Sequence, residues 1–172
     1  MRWDDVGTQT CSIARALAVV GDRWTLLVLR EAFGSARRFE QFQRRVGASR
    51  PIVADRLGRL VEHGILERRA YRERPPRFEY RLTRKGADLQ PVLLALMAWG
   101  DRWMDGGAGR PLELIHRECG CVTTPRLDCD GCGEPLTRQA IRLRPGPALR
   151  RLDGEAGEPG GLPGAQSSKS GR

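Results

Sequence analysis

The chain has 172 residues, 40% of them apolar, with 30 Lys and Arg against 21 Asp and Glu and a net charge of +9. That length suits one domain with a small appendage. The longest charge-free apolar run, Leu89 to Gly100, is 12 residues, short of the roughly 18 that a membrane-spanning helix needs. A membrane span is therefore excluded. The opening MRWDDVG lacks the apolar stretch of a secretory signal, which argues against export and for a cytoplasmic protein.

The charge is local. Residues 35–85 hold 15 basic and 6 acidic residues, while the segments on either side are balanced. Arginine supplies 28 of the 30 basic residues, so coding bias is the plain alternative. Bias alone would not concentrate the net charge, and a local basic excess suits a polyanion such as nucleic acid.

In chain order, Ser12 is placed to cap a helix running to Val20, with Ile13, Ala16, Leu17 and Val20 on one face and Gly21 ending it. Asp22 then caps a second helix from Arg23 to Phe33, apolar nearly all round and so expected at the centre of the core. A short third helix carries Phe39, Phe42 and Val46. A fourth starts at Ser49 as N-cap, with Pro51 tolerated in its first turn. Its buried stripe is Val53, Leu57, Leu60 and Val61. Its opposite face presents Pro51, Asp55, Gly58 and Arg59, flanked by Arg50 and Arg56. Two helices joined by a short Gly-containing turn, the second with an Arg-bearing outer face, make a helix-turn-helix.

The periodicity then changes to alternation. Leu66 to Arg72 and Phe78 to Thr83 read as two strands around Glu73-Arg74-Pro75-Pro76-Arg77. A hairpin directly after the recognition helix is a wing, and Arg72, Arg74 and Arg77 at its tip would meet phosphates or a minor groove. Thr83 caps a long helix, Arg84 to Met104, which Pro91 should bend. Its face of Leu89, Val92, Leu93, Leu96, Trp99 and Trp103 favours an intersubunit contact, with packing inside the chain as the alternative. The fold class is mainly α with a small β-hairpin wing, followed by a Cys-rich, zinc-ribbon-like appendage.

Several short runs occur in a fixed order: Cys11-Ser12-Ile13, Gly21-Asp22-Arg23-Trp24-Thr25, Arg38-Phe39, Leu57-Gly58-Arg59-Leu60, the run Pro76 to Gly86 and Trp99-Gly100. Together they resemble the HxlR-type family of winged helix-turn-helix transcriptional regulators. The resemblance spans residues 11 to about 104. It implies a homodimer joined through N- and C-terminal helices, with one recognition helix per subunit in the major groove of double-stranded DNA. Such a dimer reads a near-palindromic operator with half-sites roughly 34–36 Å apart, more often as a repressor. Arg50 and Arg56 are the candidates for base contacts, because arginine bonds both acceptors of a guanine edge. Ser49, Arg59, Arg72, Arg74 and Arg77 are candidates for phosphate contacts, and Arg38, Pro51 and Asp55 complete the DNA-facing set. Each arginine has a solvated surface charge as its alternative. Some members of the family sense oxidants or electrophiles through a cysteine at the position of Cys11, whose alternative is a small buried residue; a small-molecule effector is equally compatible.

Five cysteines, an odd number, do not suit a secreted disulfide framework. Four lie beyond the winged domain, in His116-Arg117-Glu118-Cys119-Gly120-Cys121 and Cys129-Asp130-Gly131-Cys132-Gly133-Glu134. His116, Cys119, Cys129 and Cys132 would make a four-ligand structural zinc site, although the first piece also allows Cys119 with Cys121. Reduced, metal-free thiols and a redox-active Cys129/Cys132 pair are the other readings. The chain thus divides into an arm (residues 1–10), the winged domain (11–105), the Cys-rich segment (110–147) and a tail expected to be disordered (150–172). A protein-interaction adaptor and a thiol-disulfide protein are the functional alternatives. No catalytic base, phosphate loop or cofactor fingerprint accompanies the cysteines, so no enzyme is expected.

Overall fold

A computed structural model describes residues 3–152 of the chain. The described residues fall into two units, 3–140 and 141–152. The first opens with a 3-10 helix, Trp3–Thr8, packed on α1 (Ser12–Val20). It continues with α2 (Arg23–Phe33), α3 (Phe39–Val46), α4 (Arg50–Glu62), β1 (Leu66–Arg72), β2 (Arg77–Leu82), α5 (Arg84–Ala87) and α6 (Gln90–Trp103). Two short strands, β3 (Leu114–Ile115) and β4 (Val122–Thr123), follow. The second unit contributes α7 (Pro147–Leu152). The architecture is mainly helical, with an antiparallel hairpin directly after α4.

The core forms where α2, α3 and α4 meet. Val28, Phe42, Val53 and Leu57 are fully enclosed, and Leu29, Leu60 and Leu66 nearly so. Each such side chain contributes about 1.5–3 kcal/mol through burial. Asp22 caps α2 by accepting hydrogen bonds from the N–H groups of Trp24 (2.9 Å) and Thr25 (3.1 Å). Gly21 before it has its Cα so close to the Leu17 carbonyl that a Cβ would stand 2.5 Å from that oxygen. This explains the Gly-Asp pair: one residue makes room for the tight entry, and the next satisfies the orphan amides of the helix start.

The hairpin pairs Leu66 with Leu82, Arg68 with Tyr80 and Ala70 with Phe78, and its register shifts between Ala70 and Arg72. Its inner face reaches the core through Tyr80, whose ring meets Phe42 edge-on at 6.2 Å. A third strand-like contact comes from the residues before α3, where Arg38 bridges Glu79 and the Tyr80 N–H donates to the Arg37 carbonyl at 2.7 Å. At the base of the wing, Thr83 Oγ1 accepts from the Gly86 N–H and donates to the Gly64 carbonyl at 2.7 Å. Lys85 Nζ donates to the His63 carbonyl at 2.7 Å. The end of α4 and the end of the wing are thereby tied to one turn of helix.

Several expectations are corrected. The helix expected from Arg84 to Met104 is two helices, α5 and α6. Pro91 does not bend a helix interior but sits in the first turn of α6, where its missing N–H leaves no bond unmade. Cys11, not Ser12, occupies the N-cap of α1, with extended backbone and no side-chain cap bond. The apolar face of α1 is covered at one end only: Ile13 is 70% exposed and Ala16 and Leu17 are exposed with it, while Val20 of that face and Ala14 beside it are buried. Finally, residues 150–152 of the expected tail belong to α7, and its remainder lies outside the described residues.

Burial raises the Asp22 carboxyl's pKa, but the Thr25 and Trp24 amides and the Arg56 guanidinium outweigh it and hold the group below the ordinary carboxylate range. A depressed carboxylate stabilises the fold above its unfolded pKa and loses that contribution as pH falls through the folded value. Asp22→Ala should therefore cost about 1–2 kcal/mol at neutral pH. The gap from wild type should narrow below about pH 4. Urea unfolding at pH 7 and pH 3 measures both; a gap that persists undiminished at pH 3 would contradict the assignment.

Candidate nucleic-acid interface

One surface joins the start of α4 to the wing. The outer face of α4 exposes Arg50, Pro51, Asp55, Gly58 and Arg59, with open space over Gly58. Beside it lies an open groove of about 730 Å³, to which Arg38, Arg44, Arg50, Arg68 and Arg77 contribute five positive charges against Glu40 alone. Among the described residues, none of these five arginines forms an ion pair. Three are held over aromatic rings: Arg38 over Tyr71 at 4.7 Å, Arg50 over Phe39 at 4.6 Å and Arg68 over Phe78 at 3.6 Å. Stacking fixes the plane of a guanidinium while leaving its N–H groups for a ligand. Three stacked guanidinium groups, with Arg44 and Arg77 beside them, give the groove a high positive charge density of the kind that suits phosphates.

The residues expected at this surface take different roles. Arg38 and Arg50 line the groove, Arg72, Arg74 and Arg77 are exposed on the wing, and Ser49, Pro51, Asp55 and Arg59 are exposed along α4. Ser49 occupies the N-cap of α4 without a side-chain cap bond. Arg72 Nε donates to the Arg74 carbonyl at 3.1 Å across the wing tip. Arg56 stands apart. Its Nε donates to Asp22 Oδ1 at 2.8 Å, its NH1 group pairs with Asp55 Oδ2 at 2.6 Å, and its side chain is only 20% exposed. The geometry makes Arg56 a tie between α4 and the start of α2.

Sequence reasoning missed Arg44, Arg68 and Tyr71. Strand alternation offered a signal for Arg68, since it stands opposite Tyr80, next to the Ala70–Phe78 pair. Tyr71 sits at the register shift, which no residue pattern announces. Two other arginines of the basic segment work inside the fold: Arg37 donates to the Ala32 and Ala36 carbonyls, and Arg45 to the Gly34 carbonyl.

The cysteines sort into separate places. Cys11 is exposed, so its reading as a small buried residue does not hold. His116 Nδ1 lies 3.2 Å from Cys119 Sγ. The backbone N–H groups of Gly131 and Cys132 draw the Cys129 thiol below the ordinary thiol range; those around Cys121 do the same for Cys119. The four expected ligands are not gathered: among the described residues, no three His, Cys, Asp or Glu side chains form a group able to hold a metal. Each pair is set by its own turn, and strands of two residues do not press the turns together.

A model of the HxlR-like helix-turn-helix family matches residues 19–107. The chain belongs to this family. It is 46% identical over 139 residues to the HTH-type transcriptional regulator Rv3095 of Mycobacterium tuberculosis, a match covering 81% of this chain and 88% of that protein. Among solved structures it resembles PA1607, a candidate transcription factor (34% identity, TM-score 0.71, 80% of this chain and 96% of that one). It also resembles the redox regulator HypR in its oxidized form (29% identity, TM-score 0.50, 54% of this chain and 96% of that one). The likeness to PA1607 takes in a larger share of the chain than residues 1–107 make up, so it runs past the winged domain. This HxlR-like protein is a transcriptional regulator with a helix-turn-helix fold, and its family implies DNA binding. No helix among the described residues is long and apolar enough to cross a membrane.

Exposed arginines at the groove should act on affinity without supporting the fold. Arg68→Ala and Arg77→Ala should each shift unfolding by about 0.5 kcal/mol or less, weaken binding to all DNA sequences alike, and lower the slope of log K against log salt by about 1. Salt titrations of the variants on two unrelated duplexes measure this, and an unchanged slope would remove both residues from the interface.

Proposed function

We propose that the protein is an operator-specific repressor that binds a near-palindromic DNA site as a homodimer, in the cytoplasm. The observation that carries this reading is the continuous surface of α4 and the arginine groove, which offers base-reading and phosphate-binding groups side by side. Arg50, at the N-terminal end of α4, is the candidate for a guanine contact. Arg38, Arg59, Arg68, Arg72, Arg74 and Arg77 are the candidates for phosphates, which position without specifying. Arg56 supports the presentation of α4 through Asp22.

The homodimer reading draws on two apolar faces that stand exposed among the described residues. Ile13 and Leu17 on α1 are exposed, as are Val92, Leu96, Trp99 and Trp103 on α6. An apolar area of this kind marks a contact with another chain, and a twofold partner would place two recognition helices on one face of the duplex. Cys11, exposed at the N-cap of α1, lies beside one of these faces. The likeness to the redox regulator HypR supports it as an oxidant sensor, coupling thiol oxidation to the dimer geometry.

Fluorescence anisotropy on duplexes from the protein's own promoter region tests the proposal. Wild type should select one duplex over random sequence by about 10³-fold or more, and Arg50→Ala should shrink that selectivity. Diamide should release the wild type and leave Cys11→Ala bound. Equal affinity for every duplex would point to a protein adaptor and overturn the operator reading.

A further inference from the structure

The Cys-rich segment contains the same turn twice. In the first, the His116 N–H donates to the Cys121 carbonyl at 2.9 Å and the Gly120 N–H to the His116 carbonyl at 2.8 Å. In the second, the Cys129 N–H donates to the Glu134 carbonyl at 2.8 Å and the Gly133 N–H to the Cys129 carbonyl at 2.8 Å. Each turn carries a metal-binding side chain at its first and fourth positions, then a glycine with left-handed backbone, φ +71° at Gly120 and +76° at Gly133. Each is closed by antiparallel partners, β3 with β4 in one case and Asp128 with Pro135 in the other. The likeness is one of backbone hydrogen bonds, position by position, and not of composition alone.

These turns stand in a segment with little else to hold it. Ile115, Val122 and Leu127 are each more than half exposed, and the strands are two residues long. A short segment without a core needs another source of order. The donor chemistry supplies one. In the first turn the two donor side chains are neighbours, with 3.2 Å between His116 Nδ1 and Cys119 Sγ, against about 3.6 Å for an imidazole nitrogen and a thiolate on one tetrahedral zinc. In the second turn the backbone at Gly131 packs against the Cys129 sulfur, where an added Cβ would stand 3.8 Å from Sγ, so the turn wraps the thiol as the surroundings of a metal-bound thiolate do. Nine residues separate Cys119 from Cys129, so the second turn stays within reach of the first.

We propose that the two turns are halves of one structural zinc site, closed on each other by the ion, with His116, Cys119, Cys129 and Cys132 as ligands. Three thiols lose their protons to solvent as the ion binds, and neutral imidazole completes a tetrahedral N1S3 set. All four positions are then taken, which leaves no place for a substrate and makes the site structural. Cys121, whose thiol faces the Cys119 carbonyl at 3.8 Å, stays outside the set.

Elemental analysis of the full chain, expressed with zinc and dialysed, tests this without reference to DNA binding. Wild type should hold one zinc per chain, as should Cys121→Ser and Cys11→Ser, and the double variant Cys129→Ser/Cys132→Ser should hold none. Circular dichroism should show the helices of the winged domain intact in that variant. Cobalt(II) added to metal-stripped wild type should give the intense ligand-field bands of a tetrahedral thiolate site. Folded wild type without zinc or a cobalt spectrum would overturn the proposal. So would zinc retained by the double variant, and half an equivalent per chain would contradict closure within one chain.

Discussion

The Asp22 carboxylate holds three groups at once: two amides at the start of α2 and the guanidinium of Arg56, 34 residues further on. The central core helix and the recognition helix share that one anchor. Apolar packing of Val53, Leu57 and Leu60 against α2 fixes which face of α4 is buried, but packing is tolerant of sliding and small rotation. A charge-assisted hydrogen bond at 2.8 Å is not. With Arg56 committed inward, Arg50, Pro51, Asp55 and Arg59 are the residues α4 presents.

The wing is fastened by the same means, polar groups closing the ends of elements. Thr83 joins the Gly64 carbonyl to the Gly86 amide, and a Cβ on Gly86 would stand 2.1 Å from the Ile65 carbonyl oxygen. The close approach at Gly86 brings the root of the wing against the end of the recognition helix. The arginines therefore divide their labour. Arg37, Arg45 and Arg56 satisfy carbonyls and carboxylates within the fold, and Arg38, Arg44, Arg50, Arg68 and Arg77 face the groove. A net charge of +9 by itself does not distinguish the two sets.

Much of this was legible in the sequence, because it depends on neighbours in the chain. Asp22 as an N-cap, the stripe of α4 and the alternation of the wing are local patterns, and each finds its element, with the second wing strand lying one residue earlier, at Arg77–Leu82, than the alternation places it. What was not legible depends on distant partners. Nothing near Arg56 names Asp22 as its counterion, and the outer face of α4 reads equally well with that side chain in solvent. Ile13 and Leu17 carry the spacing of a buried face, yet hydrophobic periodicity identifies a face without saying whether it is covered by the same chain. The apolar pattern runs on across Asp88 and Leu89 and so hides the break before α6, whose first turn holds Pro91, where a proline serves better than in a helix interior. The cysteine spacing suggested four ligands; the repeated backbone turn emerged only from the hydrogen bonds.

Asp22 and Arg56 hold the recognition helix as a pair. A double-mutant cycle of Asp22→Ala, Arg56→Ala and the double variant, followed by urea unfolding at neutral pH, isolates their interaction from the cap and from Asp55. For a partly exposed pair tied to a helix cap, the coupling should be about 1 kcal/mol. Additivity within about 0.3 kcal/mol would show that the two residues do not support each other, and would contradict this account of how the recognition helix is held.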